Sequence, residues 1–302
     1  MIHVFYHRAD LDGLCSAAIV NKFAKLRHGI PNAHFVGLDY HDDFDTAIDW
    51  DHLRGDVVYL VDFSLPIDLM RRFAAVDATL TWIDHHRTAI EAADAAGFNP
   101  KGLRDPAWSA TELTWSWFTD LGAPYAVRMI GKYDTWRQGK HWPEVLSFQY
   151  GLRSRPERHA PTHVLWHELL SQDRSPLTDQ ISADGRAILR HLDEEATYAA
   201  SELIHSTYIA GWPGPDGTRC HGVVALACNH AWHSSKLFDN YPHTPAADLF
   251  IVYSQRRDLR WKVSLYANSP DINVGDLARQ HGGGGHQGAA GFTCDQLPNF
   301  IA

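Results

Sequence analysis

The chain reads as an α/β protein in which an N-terminal domain built on a parallel sheet is followed by a helical connector and a smaller C-terminal α/β domain. Three observations predict this. Strand and helix signals alternate over the first 140 residues, helical spacing without strands follows from about 143 to 205, and strands return beyond the turn-rich stretch 211–217. Residues 2–6 form a short apolar strand, and 13–28 carry helical spacing through Leu14, Ala17, Ala18, Phe23 and Leu26. Strands are expected at 33–38, 56–62 and 79–83, with a helix over 66–76 opened by Pro66. A helix over 109–120 starts on Ser109-x-x-Glu112, a capping-box pattern. Helices over 162–170 and 178–204 fill the connector. The last domain reads as strands 221–227, 249–253 and 261–266 with helices near 234–239 and at 274–280. The domains are therefore 1–142, 143–205 and 206–302.

Composition narrows the function classes. The 302 residues are 45% hydrophobic and 12% aromatic, ample for ordinary cores, so disordered and fibrous classes are excluded. No stretch approaches the roughly 18 apolar residues of a membrane span, and residues 1–6 read as a strand, so the expectation is a cytoplasmic protein without membrane partners. Four scattered cysteines, Cys15, Cys220, Cys228 and Cys294, include no Cys-x-x-Cys pair and are expected to be reduced and mostly buried. The tryptophans, among them Trp108, Trp115, Trp117, Trp136 and Trp166, are expected mainly in core or lobe-interface packing rather than as a base-stacking box. Net charge is −9. Residues 205–302 balance 7 basic against 7 acidic residues, so residues 1–204 hold the whole imbalance, 20 against 29. A protein gripping long nucleic acid needs a basic track to neutralise phosphates, so any nucleic-acid substrate is expected to be short.

Open α/β sheets bind ligands outside the carboxyl ends of their strands. After the first strand stands His7-Arg8-Ala9-Asp10-Leu11-Asp12-Gly13, after the third Asp62, after the fourth Asp84-His85-His86, and later Lys132-Tyr133-Asp134. Any one of these aspartates is accounted for as a helix cap. Together they are not, since capping needs no imidazole pair, and carboxylates gathered at one edge call for cations. Lysine P-loop, Gly-x-Gly-x-x-Gly and Gly-x-Ser-x-Gly motifs are missing, which argues against those enzyme classes.

Asp10-x-Asp12-Gly13, Asp62, Asp84-His85-His86 and Asp134 resemble the motifs of the DHH phosphoesterase superfamily, and the run from Gly282 to Phe292, with Gly283, Gly284, Gly285 and His286, resembles the glycine-rich signature of the DHH-associated C-terminal domain. The style is nearest to the oligoribonuclease B and nano-RNase members. The resemblance implies that His7, Asp10 and Asp62 hold one metal and that Asp12, Asp62, His85 and Asp134 hold another, Asp62 bridging. Two Mn²⁺ per chain are implied, with Mg²⁺ a fitting substitute, because the donors are hard carboxylates and imidazoles. Asp84 would orient a neighbouring imidazole, while His86, His286 and the backbone of Gly283–Gly285 would position the substrate phosphate between the two lobes. The first motif departs from the spacing of many members in placing His7 three residues before Asp10. Ser264-Leu265-Tyr266-Ala267 stands where members often carry Ser-x-Arg-Ser, so Tyr266 is expected to stack on a base. Arg256, Arg257, Arg260 and Lys262 nearby suit a solvated hairpin.

The implied activity is metal-dependent hydrolysis of short oligonucleotides or linear dinucleotides to nucleoside monophosphates by a two-metal mechanism. A 3',5'-bisphosphate nucleotide phosphatase or cyclic nucleotide phosphodiesterase would use the same groups, and a catalytically silent nucleotide-binding scaffold is the alternative of another class. The partner is a short nucleic acid or nucleotide, and a homodimer is left open.

Overall fold

The computed structural model describes residues 1–171, 173–212, 221–230, 235–239 and 241–301. The chain divides into two compact units, Met1–Leu189 and Arg190–Ala302.

In the first unit β1 (Ile2–His7), β2 (Ala33–Leu38), β3 (Val57–Val61) and β4 (Thr79–Ile83) form a parallel sheet of order β2-β1-β3-β4. Successive side chains of a strand face opposite ways, and here both faces are covered. Val4, Tyr6, Tyr59 and Val61 join one buried cluster, while Phe5, Val58, Leu60 and Trp82 join the other. The first face packs against α1 (Leu11–His28), α5 (Ala110–Phe118), α6 (Tyr125–Asp134), α7 (Trp142–Arg153) and α8 (Val164–Leu169). The second is covered by α3 (Ile67–Ala75) and α4 (Arg87–Ala95), through Met70, Phe73 and Ala93. A short α2 (Phe44–Ala47) precedes β3. The capping box of Ser109 and Glu112 forms.

A long α9 (Pro176–Leu203) runs through the unit boundary at Leu189, so the helical stretch 143–205 is shared between the units rather than standing apart.

The second unit is a mixed six-stranded sheet of order β5-β6-β7-β8-β10-β9, comprising β5 (Ile204–Trp212), β6 (His221–Asn229), β7 (Leu249–Gln255), β8 (Trp261–Ala267), β9 (Gly284–Gly285) and β10 (Ala289–Cys294). Only β6 and β7 run parallel. One face buries Val223, Ile251, Val263 and Leu265 against α10 (Val274–Gln280); the other buries Leu226, Phe250 and Val252 against Phe238 and the α9 residues Ala196 and Ala199.

Several expectations are corrected. The helix near 234–239 is a 3₁₀ turn, Ser235–Phe238, the form that suits so short a segment. Gly211 and Trp212 belong to β5 rather than to a turn, and 213–217 lie outside the described residues. Trp115 and Trp166 are buried as expected, but Trp108 and Trp136 are exposed. Cys15 and Cys228 are buried and Cys294 half-buried, all three with free thiols; Cys220 lies outside the described residues. On the exposed β7–β8 hairpin Arg256 pairs with Asp258, and Arg260 with Asp295 at the end of β10. Among the described residues no helix is long and apolar enough to cross a membrane.

Candidate metal centre

The sheet order places β2 and β3 on opposite sides of β1, so the chain reverses its direction of travel between β1 and β3. Such a switch point opens a crevice at the strand ends. His7 ends β1, Asp62 follows β3, and Asp84, His85 and His86 follow β4. Asp10 caps α1, its side chain accepting from the Gly13 N–H at 3.0 Å. A Cβ at Gly13 would lie 2.1 Å from the His7 carbonyl, so glycine is what lets the first turn of α1 approach the end of β1.

These residues converge. His7 Nδ1 lies 3.0 Å from Asp10 Oδ2 and 3.8 Å from Asp62 Oδ2. His85 Nε2 lies 3.2 Å from Asp134 Oδ2, 3.4 Å from Asp62 Oδ1 and 3.8 Å from Asp12 Oδ2. Three groupings have donor atoms close enough to share an ion: His7 with Asp10 and Asp62, Asp12 with His85 and Asp134, and Asp62 with His85 and His86. Asp134 reaches the cluster from the last residue of α6, not from a strand end. Asp12, fully buried, accepts from the Ala110 N–H at 2.8 Å and the Thr111 N–H at 2.9 Å. It therefore also anchors the start of α5, whose unpaired N–H groups favour a carboxylate.

Asp84 is fully buried and accepts from the Trp82 indole at 3.2 Å and the His85 N–H at 2.7 Å. Its Oδ1 also lies 2.7 Å from His86 Nδ1. That contact occupies Nδ1 and leaves Nε2 as the second ring nitrogen, an arrangement that suits either a metal ligand or a phosphate donor.

Electrostatics make the cluster unfavourable without cations. Burial and then the neighbouring carboxylates push Asp62 and Asp12 well above the usual carboxylate range, and the same causes push Asp134 up to about 7. Burial also raises Asp10, but the adjacent His7 ring and the Gly13 N–H hold it below its ordinary value. His85 falls to about 4, through burial and then the charge of His86, and so presents the neutral ring that metal binding requires. Burial opposes protonation of His86, yet the hydrogen bond to Asp84 raises it. Asp62 Oδ2 and His7 Nδ1 are buried without a hydrogen-bond partner. Unpaired buried polar atoms of this kind are costly, and a divalent cation would satisfy both. The donor set therefore fits hard divalent metals.

Tyr40 was not singled out from sequence. It stacks on Phe63 at 4.4 Å and stands 5.6 Å from the His7 ring and 6.3 Å from the His86 ring, half-exposed at the rim. Only its position after β2 could have signalled it. Burial, followed by the charge of Asp84, pushes its hydroxyl up to about 12.

The glycine-rich segment lies in the second unit. Gly282 and Gly285 have φ of 75° and 139°, and a Cβ at Gly283 would meet the Gly291 carbonyl at 2.1 Å, so the ending of α10 requires the first of the four glycines and the packing of the β9–β10 hairpin two more. Gly284, Gly285 and His286 are exposed, and the His286 N–H donates to the Ala289 carbonyl at 2.8 Å. Tyr266 is half-buried against the cluster containing Phe238 and Phe250, opposite Ala289 in the β8–β10 register.

Comparison with known proteins gives related results. Residues 230–302 match the DHHA1 domain family. The oligoribonuclease NrnB of Bacillus subtilis is 23% identical over 328 residues, covering 100% of this chain and 75% of that protein. An uncharacterized protein of Acanthamoeba polyphaga mimivirus is 24% identical over 301 residues, covering 96% of this chain and 66% of that protein, so the chain spans just under two thirds of its length. Among solved structures, the pGpG-specific phosphodiesterase PggH of Vibrio cholerae shares the fold, with a TM-score of 0.55 at 13% identity over 97% of this chain and 92% of that one. Residues 230–302 thus carry the DHHA1 match, and the parallel-sheet and mixed-sheet units share the fold of a DHH-type phosphodiesterase, in line with the resemblance to the DHH phosphoesterase superfamily.

Proposed function

We propose that the protein is a metal-dependent phosphodiesterase that hydrolyses short oligonucleotides or linear dinucleotides to nucleoside monophosphates. The observation that carries this reading is the pair of ligand groupings meeting at Asp62, one with His7 and Asp10 and one with His85 and His86, its buried Oδ2 having no hydrogen-bond partner among the described residues. His7, Asp10 and Asp62 would hold one cation, and Asp12, Asp62, His85 and Asp134 the second, with Mn²⁺ the preferred ion. Two such cations lower the pKa of a water and offset the charge that builds on the phosphoryl oxygens. The chain's own part is to fix them: Asp12 is braced by the start of α5, and His85 stays neutral. Asp84 orients His86, whose other ring nitrogen, Nε2, is assigned to the substrate phosphate, as is His286 of the glycine-rich hairpin. The names of NrnB and PggH support the substrate class. The domain division 1–142, 143–205 and 206–302 is kept as a functional one, catalytic, connecting and substrate-binding.

The test is incubation with Mn²⁺ and a panel of linear dinucleotide, cyclic dinucleotide, 3',5'-bisphosphate nucleotide and long single-stranded DNA. The linear dinucleotide is expected to show the highest kcat/KM. Preferred hydrolysis of a bisphosphate nucleotide or a cyclic substrate would replace the proposed substrate class, and no hydrolysis with metal bound would make the chain a silent scaffold.

A further inference from the structure

Trp136 is 63% exposed and has φ of 53°, in the left-handed region that disfavours a residue with a Cβ. It sits in the cap that closes α6. The Arg137 N–H donates to the Lys132 carbonyl at 3.0 Å and the Trp136 N–H to the Tyr133 carbonyl at 3.1 Å, a helix ending whose left-handed position is ordinarily filled by glycine. Glycine would satisfy the backbone there at less cost. Neither burial nor conformation accounts for an indole, and a strained residue beside a functional cluster is grounds for a functional reading.

The surroundings hold this ring in place. Trp142 meets it edge-to-face at 5.0 Å, Tyr133 lies 6.2 Å away, and Tyr133 and Trp142 stack on each other at 5.9 Å with planes 8° apart. Arg153 covers the Tyr133 ring at 5.0 Å, and its charge lowers Asp134. The next residue, Arg137, bonds Glu112 of the α5 capping box and Thr135 Oγ1, which anchors the segment on both sides of Trp136. Asp134, two residues before Trp136, has Oδ2 3.2 Å from His85 Nε2. Two residues span at most about 7 Å of backbone, so Trp136 leaves the chain close to the residue whose carboxylate reaches the cluster.

We propose that Trp136 is a nucleobase-stacking platform beside the metal centre, held by Trp142 and Tyr133, so that a nucleotide whose phosphate engages the cluster is also gripped by its base. This rests on the reading of the cluster as a phosphodiester site. Every base offers a π-face, so the platform recognises nucleotides as a class without reading sequence.

Equilibrium dialysis with Mn²⁺ present, using adenosine 5'-monophosphate and ribose 5-phosphate as probes, separates base from phosphate binding. The wild-type protein is expected to prefer the nucleotide by about tenfold or more. Trp136→Ala and Trp136→Leu should each cut that preference about tenfold, whereas Trp136→Phe, which keeps a π-face, should retain most of it. Leucine tests packing, since it fills space against Trp142 without an aromatic face. No preference in the wild type, or a preference kept by the leucine variant, overturns the platform. A Trp136-dependent preference in a protein that hydrolyses none of the panel would leave the platform standing and sink the phosphodiesterase reading instead.

Discussion

Asp62 is the residue on which the candidate centre turns. It takes a left-handed backbone conformation, φ 53°, at the end of β3, and conformations of this kind cost about 1–3 kcal/mol. With Asp12 and Asp134 it is raised above its unfolded value by burial and by its neighbours. A carboxylate raised on folding binds more protons folded than unfolded, so stability falls as pH climbs from the unfolded pKa of about 4 toward the folded one, about 7 for Asp134. The metal-free protein is therefore expected to melt lower at about pH 8 than at about pH 5, and the stabilisation given by Mn²⁺ to grow over the same range. Thermal melts with chelator and with Mn²⁺ check this; a metal increment that shrinks as pH rises would contradict it. At this scale the acids and imidazoles were legible because their residue types are rare together at strand ends. Tyr40 and Trp136 were not, since an aromatic in sequence does not disclose whether it is buried.

Among the elements, the glycine-rich hairpin separates structure from substrate binding. Gly283 has no room for a Cβ, so Gly283→Ala is expected to destabilise by about 1–3 kcal/mol, seen as a lower Tm. His286 is exposed, so His286→Ala should melt like the wild type and keep its metal while losing roughly 10²-fold in kcat. Loss of about one metal equivalent in that variant would show that His286 is a ligand. The strands of the first sheet were legible because both faces are covered and the runs are nearly all apolar, as in Val57–Val61. The strand β10 was not, because Ala-Ala-Gly-Phe-Thr-Cys has little β preference and is fixed by pairing with β8. The helix α6, which delivers Asp134, went unread although Ala126, Val127, Met129 and Ile130 carry its buried face. Its acid therefore appeared to belong with the strand ends.

For the whole molecule, charge and division into units matter most. The nine excess acids of residues 1–204 include the five of the cluster, Asp10, Asp12, Asp62, Asp84 and Asp134. Two divalent cations would leave that segment still negative, which disfavours a long phosphate backbone and favours a short substrate. The two α/β parts were legible from the alternation and return of strands. The point of division was not, because α9 runs unbroken from Pro176 to Leu203 and nothing in its spacing marks Leu189. The most direct measurement is Mn²⁺ stoichiometry alongside dinucleotide turnover in the wild type and in Asp62→Asn. Two ions and rapid conversion to mononucleotides are expected in the wild type, with both ion sites weakened and turnover abolished in the variant, since one shared anion is removed from both. Near wild-type turnover in Asp62→Asn, or the loss of a single ion with activity kept, would contradict a two-metal centre bridged by Asp62.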